Sequence, residues 1–344
     1  MILKSSFFAV LCALFSALLL ASACANSSSE QQGTGQNTPS SQHVPESNTA
    51  NKPSVNIPDF SADSAYWYTK KQVDFGARVP GTKPHKACAD WLETQLRRFA
   101  DTAFIQKAKA TAHDGKQLPI YNIIGIFRPE ASERVLLCAH WDTRPVADQD
   151  DERKNEPILG ANDGASGVGV LLEIARQLQA QKPTVGVDIV LFDTEDYGQS
   201  DIDDSYCLGS QYWASHLHKA GYKARYGILL DMVGAPDAMF LKERWSMNYA
   251  PATVAKVWSV AAELGFESYF PNMLSPGAIT DDHYYVNKIA NIPTIDIIHY
   301  TPEGGFAKYW HTHDDNMNAV SKNTLDVVGT VLMTVVYREN LPNS

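Results

Sequence analysis

From residue 59 onward the hydrophobic positions fall into two kinds of run. Residues 59–77 and 84–99 carry them at helical spacing, as His85, Cys88, Trp91-Leu92 and Leu96 do in the second. The turn signal Arg78-Val-Pro80-Gly81 separates them. Residues 103–112 and 118–127 read as paired strands around His113-Asp-Gly115. Then short continuous apolar runs alternate with helical ones: strand 134–139, helix 165–180, strand 186–192, helix 208–219 and strand 226–232. Helix 251–264, a short helix from Asp281, strand 293–298 and a closing helix from about Ser321 to Arg338 follow. This alternation predicts an α/β fold of one domain, with a central mixed, largely parallel twisted sheet and helices on both faces.

Before residue 58 the pattern is different. Lys4 precedes an apolar run, Phe7 to Leu20, and the small residues Ala21-Ser-Ala23 follow. That is the layout of a secretory signal peptide over 1–23. Cys24 directly after it resembles a bacterial lipobox cysteine, lipidated as the mature N-terminus. Residues 24–57 are rich in Ser, Gln, Asn, Thr, Pro and Gly. They bury too little apolar surface to offset their ordering entropy, so they read as a disordered linker from the lipid to a folded domain at 58–344. The expectation is an exported, periplasmic protein held to a membrane by its lipid. Export permits disulfides, yet Cys88, Cys138 and Cys207 are odd in number and irregular in spacing. No disulfide framework is expected, and Cys138, inside an apolar strand, reads as a small core residue.

The net charge of −10 and pI near 5.4 exclude a nucleic-acid partner, which would require a basic face.

Candidate chemistry sits at the ends of the apolar runs. His140 and Asp142 follow Val135-Leu-Leu-Cys-Ala. Asp163 lies in Asn-Asp-Gly-Ala-Ser-Gly before a helix, and Glu195-Asp196 follow Ile189-Val-Leu-Phe-Asp-Thr. Asp231 ends Ile228-Leu-Leu-Asp, and His311 and His313 lie in Trp310-His-Thr-His. Groups just past the carboxyl ends of strands gather in one crevice of an α/β sheet. Carboxylates with imidazole and no cysteine suit zinc. Each residue also has an ordinary reading. Asp163 would cap a helix, Glu195-Asp196 would be solvated loop acids, Asp281 would be a cap, and His313 competes with His311. Their common position at one sheet edge favours a site.

The series resembles the zinc-dependent exopeptidase superfamily (M28-like), which contains aminopeptidases and glutaminyl-peptide cyclotransferases. Leu230-Asp231-Met-Val-Gly-Ala235, Asp281-Asp282-His283 and Trp310-His311-Thr312 with Asp314-Asp-Asn316 favour the glutaminyl cyclase branch, in its animal-type bacterial lipoprotein form. The resemblance implies the zinc exopeptidase-like α/β hydrolase architecture and one Zn²⁺ per chain on Asp163, Asp196 and His311. It implies Glu195 as the proton-transferring acid with Asp231 and Asp281 as catalytic supports, Trp310 as a substrate wall, and peptides or proteins with N-terminal Gln as substrates. His140 and Asp142 would support the ligands or complete a second metal position. Three features depart from relatives: Asp196 stands where Glu is common, Thr280 replaces a glutamine, and Tyr197-Gly-Gln-Ser-Asp follows in place of a tryptophan-bearing segment. A two-zinc aminopeptidase and a non-catalytic surface binding lipoprotein are the alternatives.

Overall fold

The computed structural model describes residues 55–339. The expected signal peptide, Cys24 and the linker up to residue 54 lie outside the described residues. The described chain starts before the expected boundary at 58, because Val55 and Ile57 already pack on the core. Among the described residues no helix is long and apolar enough to cross a membrane.

Six strands form one mixed sheet in the order β1-β2-β4-β3-β5-β6. They are β1 Thr102–Thr111, β2 Gln117–Phe127, β3 Arg134–His140, β4 Gly186–Phe192, β5 Gly227–Asp231 and β6 Thr294–Ile298. The last four are mutually parallel, and β2 runs antiparallel to both β1 and β4. The continuous apolar runs reflect burial on both faces. In β3, Val135, Leu137 and Ala139 enter one core while Leu136 and Cys138 enter the other. In β4, Ile189 and Leu191 divide from Val190 and Phe192 in the same way.

The larger core lies under α1 (Ala62–Val73), α2 (Lys83–Phe99), α3 (Ser166–Ala180), α6 (Pro251–Glu263) and α8 (Lys322–Arg338). The smaller lies under α4 (Leu208–Ser215) and α7 (Asp282–Ala290). One charged pair enters the sheet: Arg134 donates from Nε and a terminal nitrogen to the two oxygens of Asp188, each at 2.7 Å. Cys88, Cys138 and Cys207 are free and buried.

Several elements differ from the sequence reading. Helix α1 is shorter than 59–77 because Ser61 caps it, accepting from Ser64 N, and because Gly76 turns the chain at φ +91. Helix α4 stops at Ser215, where His216 leaves helical backbone. The six-residue helix α5, Arg244–Tyr249, was not expected. Its cause lies outside its own sequence, in the buried carboxylate of Glu243. That group accepts from Trp245 N and Ser246 N at the helix start, from Ile279 N, and from the Ser246 hydroxyl. It also lies 3.0 Å from His283 Nε2.

Burial alone would raise the Glu243 carboxyl, but these donors hold it down, from 4.5 to about 2. A depressed carboxylate contributes stability above its unfolded pKa and loses it as pH falls through the folded one. At about 1.4 kcal/mol per tenfold change in proton affinity, the contribution at neutral pH is roughly 3 kcal/mol. Urea unfolding of Glu243→Gln should show a gap of this order to wild type at pH 7. The gap should close between pH 4.5 and about 2, and a pH-independent gap would contradict this account.

Candidate metal and catalytic site

The chain leaves β3 toward β4 on one side and returns past β3 to β5 on the other, so the sheet has a topological switch at β3/β5. Ligand crevices form at such points, outside the carboxyl ends of the strands. His140 ends β3, Asp193 to Asp196 follow β4, and Asp231 ends β5. Asp281 stands at the start of α7 and accepts from Asp282 N. Four non-glycine residues at or beside these groups are left-handed: Thr194 (φ 56), Cys207 (φ 58), Met232 (φ 48) and His311 (φ 55). Such backbone costs on the order of 1–3 kcal/mol each and persists only where the surroundings fix it.

The loop carrying Asp163 is fixed from two sides. Buried Arg78, from the Arg-Val-Pro-Gly turn, donates to Trp141 O at 2.9 Å and to Leu159 O and Gly160 O at 2.7 Å. Asp315 accepts Asn162 N at 2.7 Å and Asp163 N at 3.0 Å. Gly164 (φ +94) lets the loop pass against β3, since a Cβ there would lie 2.3 Å from Asp142 O. Asp163 does not cap α3: Ala165 holds the cap position with no side-chain bond.

Asp163, Asp196 and His311 each offer a ligand atom within 4.8 Å of the others. His311 Nε2 is 3.3 Å from Asp196 Oδ1 and 3.7 Å from Asp163 Oδ2. His140, Asp163 and Asp231 form a second group sharing Asp163, with His140 Nε2 3.0 Å from Asp163 Oδ1 and 3.1 Å from Asp231 Oδ1. Asp142 joins neither group, because its two oxygens accept Glu195 N and Asp196 N at 3.0 and 3.2 Å. Glu195 belongs to a third group of this kind, with Cys207 and Asp281, its Oε1 3.3 Å from Cys207 Sγ. His313 pairs with Asp150 at 2.6 Å, outside these groups.

Three contributors were not anticipated: Asp148 on His311 Nδ1, Arg144 against Asp196, and Asp315 beneath Asp163. Arg144 and Asp148 belong to a long charged loop, residues 144–155, and Asp315 is one of two adjacent aspartates.

Burial and the neighbouring carboxylates set the electrostatics. Burial pushes the Glu195 carboxyl well up; His140 pulls it down, and Asp196, Asp281 and Asp282 push it further up. Asp231 rises to about 7, by burial first, against His140 and with the charges of Asp163 and Asp281. Burial disfavours charge on His311, yet Asp196, Asp148 and Asp163 raise it to about 9. A crevice that raises an imidazole this way holds a negative potential suited to a cation.

These groups open into a cavity of about 270 Å³. Asp163, Glu195, Asp196, Asp231, Asp281 and His311 line its polar side; Ile279, Ile298, Phe306 and Trp310 line its apolar side. Thr280 and Tyr206 are also at its wall.

The chain matches peptidase family M28 over residues 122–336. The chain belongs to peptidase family M28. Within that family it is similar to the crystal structure of a Zn-dependent exopeptidase from Parabacteroides distasonis, at 51% identity and a TM-score of 0.81, covering 83% of this chain and 100% of that one. It is also similar to the crystal structure of Porphyromonas gingivalis glutaminyl cyclase, at 54% identity and a TM-score of 0.79, covering 80% and 97%. Glutaminyl-peptide cyclotransferase of Drosophila melanogaster is 25% identical over 276 residues, covering 74% of this chain and 75% of the relative.

M28 enzymes are zinc-dependent, and the residues present fit that metal. Asp163, Asp196 and His311 supply two carboxylates and an imidazole, a donor set zinc accepts in catalytic sites that keep one place open. Asp196 Oδ2 is buried with no hydrogen-bond partner. A ligand bound only by the folded state raises stability by mass action. Zinc added to chelator-stripped protein should raise the thermal midpoint. The rise should vanish in Asp163→Asn and His311→Ala; scanning fluorimetry reads both, and an unchanged rise in either variant would remove that residue from the ligand set.

Proposed function

We propose that this protein cyclises the N-terminal glutamine of peptides and proteins to pyroglutamate and releases ammonia, with one Zn²⁺ held by Asp163, Asp196 and His311. The observation that carries the division of labour is the position of Glu195. It adjoins Asp196 in sequence, yet it belongs to neither of the groups built on Asp163, and its Oε1 lies 3.3 Å from Cys207 Sγ. A carboxylate outside the ligand set is free to move protons.

Bound there, the metal supplies Lewis-acid polarisation of the side-chain carbonyl oxygen. Glu195 takes a proton from the α-amine, the amine nitrogen bonds to the γ-carbonyl carbon, and the C–N bond to the side-chain nitrogen breaks. Glu195 returns its proton to that nitrogen as ammonia leaves. One group serves as base and then acid, and its buried, acid-rich surroundings raise its affinity for the proton it carries. Asp231 and Asp281, which flank the cavity, sustain that field. Amine and carbonyl belong to one substrate, so the apolar wall of Ile279, Phe306 and Trp310 accelerates the step by holding the side chain folded back on the amine.

One observation favours a rival. His140, Asp163 and Asp231 together form a second metal-type group beside the first, as a two-zinc aminopeptidase would require. Metal analysis separates the readings: one zinc per chain supports cyclisation, two support hydrolysis.

Ammonia release from a Gln-leading dipeptide should fall on the order of 10²–10⁴-fold in Glu195→Gln with zinc content unchanged. Wild-type turnover in that variant would overturn the role of Glu195. The leader Lys4 to Ala23 further supports export and attachment to a membrane through lipid on Cys24. Cys24→Ser should shift the protein from the membrane to the soluble fraction on cell fractionation, and continued membrane attachment would refute the anchor.

A further inference from the structure

We propose that Arg144 and Asp148 act together as a positioning clamp that sets two of the three metal ligands, Asp196 and His311. The inference rests on the ligand assignment above and adds to it the device that keeps those ligands aimed.

The two ligands come from loops far apart in the chain, one after β4 and one before α8, and neither residue lies in a helix or strand. Asp148 Oδ1 lies 3.1 Å from His311 Nδ1, on the side of the ring away from Asp163 and Asp196. A carboxylate there accepts the Nδ1 proton, which leaves Nε2 with its lone pair toward the ligand group. Such outer partners fix the tautomer and orientation of a metal-binding histidine. Arg144 holds Asp148 in turn, with Nε to Oδ1 at 2.9 Å and a terminal nitrogen to Oδ2 at 2.7 Å, the two-pronged geometry that fixes a carboxylate plane.

The remaining guanidinium nitrogen turns the other way. It donates to Asp196 O at 3.1 Å, Gly198 O at 3.2 Å and Asp196 Oδ1 at 3.3 Å. One planar group therefore restrains the backbone and side chain of one ligand and, through Asp148, the ring of the other. The Arg144 and Asp196 side chains are only 5% and 2% exposed, so that contact is made away from bulk water, while Asp148 reaches the surface at 36%. Lysine offers one compact ammonium and cannot span both sides. Gln149 N also bonds to His311 O at 3.3 Å, which ties the same loop to the histidine's backbone. The arrangement suits the short Asp196 side chain: with one methylene fewer than Glu, its reach depends more on where its backbone is held.

The test is zinc affinity, measured by competition with a chromogenic chelator on the full chain, beside the thermal midpoint of the stripped protein. Arg144→Lys and Asp148→Ala are each expected to weaken zinc by about 10–100-fold. The double variant should lose little more than the worse single one, because both act through one path. Stripped midpoints close to wild type are expected, since a merely structural loop tether would lower the midpoint and leave the affinity of the folded protein unchanged. Wild-type affinity in the single variants, or losses that add in the double, would overturn the clamp. If Asp148→Ala does not fold, Asp148→Asn, which removes the charge pairing with Arg144, replaces it under the same criteria. Asp163→Asn separates the two levels. Lost affinity there with intact affinity in the clamp variants rejects the clamp alone, whereas retained affinity in Asp163→Asn rejects the ligand assignment beneath it.

Discussion

Carboxylates crowded into a water-poor crevice are the constraint around which this molecule is arranged. Like charges in low dielectric repel strongly, and each must be compensated where it stands. Three of the acids are each met by two backbone N–H groups. Asp142 takes Glu195 N and Asp196 N, Asp315 takes Asn162 N and Asp163 N, and Asp193 takes Tyr121 N and Thr194 N. In each case the carboxylate fixes a loop while the loop satisfies the carboxylate. Asp163, Asp196 and Asp231 are left facing imidazoles and the cavity, which is where a cation belongs.

The alternating apolar runs made the sheet and its helices legible, because strands buried on both faces admit few polar residues and amphipathic helices impose their period. Helix α5 escaped for the opposite reason. Its six residues have too little length for a period to register, and Glu243 together with Ile279 and His283 creates it through contacts remote in the chain. The same contrast holds at the site. Asp163, Asp196 and Asp231 follow apolar runs and could be read as an edge. Arg144, Asp148 and Asp315 could not, since a buried Arg–Asp pair and a surface one are identical in composition. The helix-cap reading of Asp163 fails because the loop bonds to Asp315 instead, freeing the side chain.

The geometry also shows how closely two chemistries of this family lie. With Asp163, His140 and Asp231 form a group that could hold an ion, and the distances of 3.0 and 3.1 Å from His140 Nε2 to Asp163 and Asp231 show the imidazole bridging those carboxylates. Whether water or an internal amine attacks depends on what occupies that bridge and on whether the apolar wall leaves room for the rest of a peptide. A small set of side chains thus separates hydrolysis from ring closure on one scaffold.

The left-handed turns at Thr194, Met232 and His311 carry an evolutionary consequence. Each would relax if glycine stood there, so random mutagenesis selected only for heat resistance should find gains at these places. Those gains would come just past β4 and β5 and at His311, in the loop before α8. Selection for durability and selection for turnover should therefore pull the same three positions in opposite directions.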